Sequence, residues 1–332
     1  MGMKGFKGFE KDFSCRGKQY EENTTYEEHG VGCCHKGVMH FCEDPWEVLN
    51  HYDLVDGNGN FSEFAEVEAL GQVWNDGEKR ATNKIHIGAK LGLKGFLKSC
   101  IDCTLEKTEY ESNGTNLPGD SAQISSSGNY AQIGSSGDYA QIGSSGDSAK
   151  IGSSGDSAQI GSSGYSAKIG SSGDYAQIGS SGDYAQIGSS GDYAQISSSG
   201  NYAQIGSSGD YAQIGSSGNY AQIGSSGDYA QIGSSGYYAQ IGSSGDYAKI
   251  GSSGDYAKIN STGEDAVIMC AGSRSKAKGK KGSWITLAEW AKDEEKGRYV
   301  PICVKTERVD GEKIKENTYY TLKNGEFVEV EE

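Results

Sequence analysis

Gly134-Ser135-Ser136-Gly137-Asp138-Tyr139-Ala140-Gln141-Ile142 is one copy of a nonapeptide written seventeen times between residues 116 and 268. Ile recurs every nine residues from Ile124 to Ile268, and Ala does the same from Ala122 to Ala266. A unit this short cannot bury its apolar residues alone, so the copies must stack into a solenoid. Ala and Ile lie two residues apart, which on a strand puts them on one face. They are expected inside, with Tyr and Gln or Lys outside. Gly-Ser-Ser-Gly-Asp is expected at the turns, where Gly supplies positive φ and Asp or Asn closes an Asx-turn. Ala beside Ile requires a narrow interior.

Nine residues are too few to circle a two-sheet core, and two nonapeptides per coil is the simplest closure. An internal test supports eighteen. In alternate repeats the Asp slot holds Asp120, Asp138, Asp156, Asp174, Asp192, Asp210, Asp228, Asp246 and Glu264, all acidic. The intervening repeats hold Asn129, Asp147, Tyr165, Asp183, Asn201, Asn219, Tyr237 and Asp255. The competing explanation is duplication in eighteen-residue blocks, but the Tyr and Lys substitutions do not follow parity. At ~4.8 Å per coil the rod is roughly 40 Å long. The expected class is mainly β. A parallel β-solenoid of eighteen residues per coil (116–268) sits between a small α+β N-terminal domain (1–115) and an antiparallel β cap (283–332). A degenerate, basic stretch (269–282) joins the last two.

Such a rod carries Tyr ladders and one file of nine carboxylates. Like charges at this spacing repel. Turn N–H donors, a divalent cation or a basic partner surface are the available compensations, and the file is the candidate binding edge. No other cofactor is expected. The formal net charge of −15 and pI of about 4.8 argue against direct nucleic-acid or anionic-membrane binding and leave open mimicry of nucleic acid. No stretch is long and apolar enough for a transmembrane helix, and Met1–Glu10 has no apolar signal core. A cytoplasmic location with reduced thiols is expected. A protein partner and a homo-oligomer are both compatible with exposed ladders.

In the N-terminal domain, Asp44-Pro45-Trp46-Glu47 marks a helix start, with Asp44 as N-cap and Glu47 completing a capping box, running to about Tyr52. Phe64–Gly71 and Lys84–Leu91 read as strands. Leu93–Lys107 reads as an amphipathic helix with Leu93, Phe96, Leu97, Cys100, Ile101 and Leu105 on one side. Asp56-Gly57-Asn58-Gly59-Asn60-Phe61 has the look of an EF-hand loop. In that register Leu54 and Ala65 fall where oxygen ligands are needed, so it is a polar turn. Cys33, Cys34, His35, His40 and Cys42 are zinc-ligand types, but no pair of CxxC motifs occurs at ribbon spacing. Core thiols are the expected role.

After Ile268 the period degrades and Lys276–Lys281 reads as flexible. Strand-like runs then follow at 284–290, 299–306, 318–322 and 326–330, with turn signals at Asp310-Gly311 and Asn324-Gly325. This module is expected to cover the open sheet edges of the last coil. The N-terminal domain is expected to do the same for the first.

Lys7-Gly8-Phe9, Cys15-Arg16-Gly17, His40-Phe41-Cys42 with Pro45, and Gly325-Glu326-Phe327-Val328 resemble the blocks of a phage and gut-bacterial family. Its members combine such an N-terminal domain with nonapeptide-like repeats and a short C-terminal module. The resemblance implies a bacterial or phage cytosolic context and brings no activity. The Ala-x-Ile, turn-Gly pattern is also similar to trimeric adhesin β-rolls, whose repeat is shorter. His40-Phe41-Cys42, the helix to Tyr52 and the strand bearing Glu66 and Glu68 distantly resemble part of the ADP-ribosyltransferase fold. That would make Glu66 or Glu68 the acidic residue orienting a ribose, with His40 beside it. The leading expectation is a non-catalytic binding solenoid presenting Tyr ladders and the acidic file to a macromolecular partner. The alternative is an ADP-ribosyltransferase-like or metal-binding N-terminal domain with the solenoid as spacer.

Overall fold

The computed structural model describes residues 2–33, 37–56, 60–110, 114–116 and 119–331. Each repeat contributes one four-residue strand, Gln-Ile-Gly-Ser in most copies, and successive strands alternate between two parallel sheets. Partners in a sheet are eighteen residues apart: Gln177 pairs with Gln195 in one, and Gln186 with Gln204 in the other. The Ile file is buried throughout, and the Ala file from Ala131 onward. Each Ile contributes ~1.5–3 kcal/mol by burial.

The turn chemistry differs from the sequence expectation. Positive φ falls on the Tyr slot, with Tyr193 at 58° and Ser157 at 56°, and not on the turn glycines. The glycine is required by proximity. A Cβ on Gly182 would overlap the Gly164 carbonyl oxygen of the coil below, and the same clash recurs at each turn glycine up the stack. The left-handed residue turns its N–H up the rod, so that Tyr193 N donates to Asp210 O at 2.8 Å.

The parallel stack extends past Ile268. Lys276–Lys278, expected to be flexible, is a strand beside Lys258–Asn260, with Ala277 taking the buried Ile place. Val267–Cys270 pairs in parallel with 284–287 at the start of Trp284–Asp293. That strand forms an antiparallel hairpin with Arg298–Arg308. Tyr319–Lys323 and Glu326–Val330 form a second hairpin, turning at Asn324-Gly325 with φ of 52° and 70°, and it ends the other sheet. Each sheet is thus finished by its own antiparallel ribbon.

The N-terminal domain is a seven-stranded antiparallel sheet in the order Thr24–Glu27, Lys84–Lys90, Glu63–Ala69, Met3–Phe9, Met39–Cys42, Lys79–Thr82, Val73–Asp76. One face is filled by Phe9, Phe13, Tyr20, Met39 and Phe41. On the other, Phe64 stacks on Phe96 of the helix Gly92–Tyr110 at 3.8 Å between ring centroids. The helix begun by Asp44 is shorter than expected, spanning Pro45–Val48, and Asp44 caps it by accepting from Trp46 N at 2.9 Å. Glu47 makes no capping box. It takes the Lys150 ammonium at 2.5 Å instead.

That contact reveals the main correction. The N-terminal domain does not sit on the end of the rod. The helix Gly92–Tyr110 lies on the outer face of one sheet, across the strands Gly114–Asn116, Gln132–Ser135, Lys150–Ser153 and beyond. Among the described residues, no strand pairs with the free edge of Gln123–Ser126, the first strand of the other sheet.

Candidate functional site

Each sheet shows two outward files, the Gln slot and the strand glycine. On the covered sheet the glycines form a floor that receives the N-terminal domain. A Cβ on Gly152 would lie 3.3 Å from Thr104 Cβ, and one on Gly170 would lie 3.1 Å from Trp46. At Gly188 it would overlap Leu97, and at Gly224 it would lie 2.9 Å from Phe61 and Val55. The Gln slot supplies the polar contacts. Gln186 Nε2 donates to Leu49 O at 3.0 Å, and Gln204 accepts from Leu54 N at 2.9 Å.

Two of the four lysines in this slot specialise in the contact. Lys150 Nζ bonds Asp44 at 2.8 Å, and Lys168 Nζ donates to Trp46 O and Asn50 Oδ1, both at 2.7 Å. Burial works to lower the Lys150 pKa, but Asp44 and Glu47 outweigh it and hold it above the usual lysine value. Burial alone would raise Asp44, yet Lys150 and Lys107 hold it below the usual carboxylate range. Lys168 meets carbonyl oxygens at bonding distance, and burial depresses it. The Gln-to-Lys changes at 150 and 168 therefore mark the docked side.

The opposite sheet carries the same files uncovered. No atom of a non-adjacent described residue lies within 4 Å of a Cβ placed on Gly143, Gly161, Gly215, Gly233 or Gly251. The result is a shallow trough of about 1420 Å³ running along the stack from Gln123 to Val267 and Met269. Its C-terminal end is apolar, with Val267 (43% exposed), Met269 (53%) and Trp284 (47%) in adjacent positions.

The two Asp-slot classes lie on opposite edges of the rod. The nine acidic residues occupy the turns leading from the covered sheet to the open one, and the mixed set occupies the return turns. Each of the eight Asp carboxylates accepts from the main chain of the next coil, and Glu264 at the end of the file instead takes the Lys280 ammonium at 2.9 Å. Asp174 Oδ1 takes Asp192 N at 2.8 Å, Asp192 takes Asp210 N at 2.8 Å, and Asp246 takes Glu264 N at 2.7 Å. Asn performs the same task on the other edge, where Asn201 accepts from Asn219 N at 3.0 Å. The turn donors thus offset part of the repulsion within the file. Two phenol stacks run along these edges: Tyr175, Tyr193, Tyr211, Tyr229 and Tyr247, and Tyr184, Tyr202, Tyr220, Tyr238 and Tyr256. Successive rings in the middle of each stack are 4.9 Å apart.

Among the described residues, the N-terminal candidates are not brought together as a metal or ribose site. Cys34 and His35 lie outside the described residues. Cys33 Sγ bonds Asn75 O at 2.9 Å, and His40 Nε2 lies 2.7 Å from Cys33 O and 3.6 Å from Asp76. Cys42 is buried, which pushes its thiol up to about 12. Among the described residues, no group of three or more His, Cys, Asp or Glu could hold a metal ion. Glu66 is exposed and Glu68 accepts from Gly2 N at 3.0 Å. Both stand on the strand beyond Met3–Phe9 from His40.

A different cluster does assemble, and nothing in the sequence pattern singled it out as a site. Met3–Phe9 pairs with Glu63–Ala69 along its whole length, but with Met39–Cys42 only at Phe6↔Cys42. Beyond that pair lies a cleft of about 580 Å³. Lys7, 5% exposed, reaches Cys15 Sγ and His40 O, both at 3.2 Å, and Cys15 Sγ lies 2.6 Å from Tyr52 OH. Its one trace in the sequence is that Lys7-Gly8-Phe9, Cys15-Arg16-Gly17 and His40-Phe41-Cys42 are blocks that carry the family resemblance. All three contribute lining residues.

No helix among the described residues is long and apolar enough to cross a membrane. No curated protein and no solved structure matches the chain. Residues 3–99 match the model of a family described as a domain of unknown function (DUF7666), and the match ends inside the helix that seats this domain on the solenoid.

Proposed function

We propose that the chain is a non-catalytic binding solenoid whose open face seats an amphipathic helix of a protein partner. The observation that carries this is the difference between two faces built from one repeat. The covered floor already holds such a helix, with Leu97 and Ile101 over the glycines. The open floor offers the same strand pattern without a covering element among the described residues. The Tyr stacks and the acidic file border this face on its two edges. The carboxylates favour a partner with basic residues flanking its apolar ridge, and leave room for a divalent cation along the file. The sequence resemblance supports a bacterial or phage-encoded protein acting in the cytoplasm.

Quantitative affinity capture from bacterial lysate tests the proposal, comparing the full chain with a variant carrying Gly161→Leu, Gly179→Leu and Gly215→Leu. A partner that is lost when the floor is filled, and displaced by a peptide of residues 92–107, is expected. Capture insensitive to both would refute it, and self-association lost in the variant would replace the partner with a second copy.

A further inference from the structure

The cleft beside Lys7 is independent of the solenoid faces, and its charges do not balance. Among the described residues, four Lys and Arg side chains line it: Lys7, Arg16, Lys18 and Lys79. Lys18 is engaged by Glu28 and Lys79 by Asp76 at 3.7 Å, and Asp76 also faces His40. Those two carboxylates are the only acidic residues in the lining among the described residues. Lys7 and Arg16 have no carboxylate partner among the described residues.

A buried ammonium without a counter-charge is costly and normally paired. Lys7 has a thiol, a carbonyl oxygen and the faces of Phe9 and Tyr20, at 5.4 and 5.6 Å from the ring centroids. Burial holds its pKa below the usual lysine value; Cys15 works against that shift, and Arg16 reinforces it by repulsion. Two like charges without a carboxylate partner therefore line one recess of ligand size, Lys7 buried and Arg16 exposed. An incoming anion would relieve the repulsion and accept from donors already in place, with little ordering cost.

We propose that this cleft is a binding site for a small anionic metabolite, whose phosphate or carboxylate is recognised by Lys7 and Arg16 with the Cys15 thiol at the floor. Tyr52 OH, bonded to that thiol, positions it. Phe6 and Tyr52 give the recess half-buried aromatic walls for the rest of the ligand.

The thiol supplies a reporter. Alkylation by iodoacetate or iodoacetamide forms a C–S bond, releases iodide and sends the thiol proton to solvent. The two reagents differ in charge. On a protein of net charge −15 the neutral reagent is favoured at ordinary thiols such as the half-exposed Cys33 and Cys303. Site-resolved mass spectrometry on the full chain should show the opposite preference at Cys15. The iodoacetate-to-iodoacetamide rate ratio there should exceed that at Cys303 by about tenfold or more. Arg16→Gln, a surface change, and Lys7→Met should each pull the ratio toward that of Cys303. Inorganic phosphate, AMP and acetate should slow iodoacetate at Cys15, and their ranking separates phosphate, nucleotide and carboxylate ligands. A Cys15 that favours iodoacetamide as Cys303 does, that reacts with neither reagent, or that none of the three anions protects would overturn the proposal.

Discussion

Gly188 and Gly179 occupy the same place in neighbouring repeats, one on the covered sheet and one on the open sheet, so replacing each by Ala isolates what the N-terminal domain demands of the floor. At Gly188 the new methyl overlaps Leu97 Cδ2 and lies 2.8 Å from Cδ1, and Leu97 is only 1% exposed. The side chain must leave its position in a filled interface, an overpacking cost of ~1–3 kcal/mol. At Gly179 the nearest atom is Ser197 Oγ at 3.7 Å, ordinary contact. Ala is there a better strand residue than Gly, by ~0.5–1 kcal/mol, because less backbone entropy is lost on folding. The two substitutions should therefore differ in sign. Domain and solenoid need not unfold together, so one global midpoint is a poor readout. Amide hydrogen exchange in the helix Gly92–Tyr110 reports docking directly, and urea titration followed by fluorescence of the buried Trp46, with Trp74, Trp284 and Trp290 replaced by Phe, reports it optically. Gly188→Ala should speed helix exchange and lower the Trp46 midpoint, whereas Gly179→Ala should leave the helix unchanged and stabilise the rod. Equal effects from the two would refute the asymmetry of the faces.

Docking should also fail in acid. Asp44 has a depressed folded pKa, so its contribution is present above the unfolded value of ~3.9 and is lost as pH falls through the folded one. Lys150 is raised, so its share persists below ~10.4 and is lost only as pH rises through its folded value. Lys150→Met should cost about 2 kcal/mol of docking and move acid release of the helix, followed by Trp46 fluorescence, to higher pH. On the acidic edge, Asp192→Asn should preserve the melting temperature because Asn accepts the same turn N–H, while Asp192→Ala should lower it. If cations occupy the file, calcium or magnesium should raise the melting temperature, and changing the nine acidic residues to their amides should abolish the rise; equal loss from changing Asp147, Asp183 and Asp255 would contradict a one-edge site. Inside the rod, the Ser180 hydroxyl is buried with no hydrogen-bond partner among the described residues. Ser180→Ala should be neutral or stabilising by up to ~1 kcal/mol in thermal denaturation.

The period, the Ala and Ile interior, the eighteen-residue coil and the antiparallel C-terminal module were all legible because each follows from spacing alone. The parity of the Asp slot foretold two chemically distinct edges. The role of the turn glycine was misassigned because tight stacking and positive φ both select Gly, and only the coil below, eighteen residues away, distinguishes them. The side-on seat of the N-terminal domain left a faint trace. Both sheets share Gln-Ile-Gly-Ser, and the trace of the seat is Lys150 and Lys168, whose partners Asp44, Glu47 and Asn50 are more than a hundred residues away. The cleft was hidden for a similar reason. Lys7, Cys15 and Tyr52 become neighbours only because two strands pair at one residue and then part.

The seat itself can be trapped covalently. With a Cβ at residue 152 only 3.3 Å from Thr104 Cβ, close to the spacing of bridged cysteines, a Thr104→Cys, Gly152→Cys double variant should form an intrachain disulfide on mild oxidation. Peptide mapping would distinguish it from pairing with Cys100 or Cys103. The matched pair Thr104→Cys, Gly161→Cys, whose second member lies on the open sheet, should not close. A covered-face pair that stays reduced, or two pairs that oxidise equally well, would contradict a solenoid with one face occupied by its own domain and the other open.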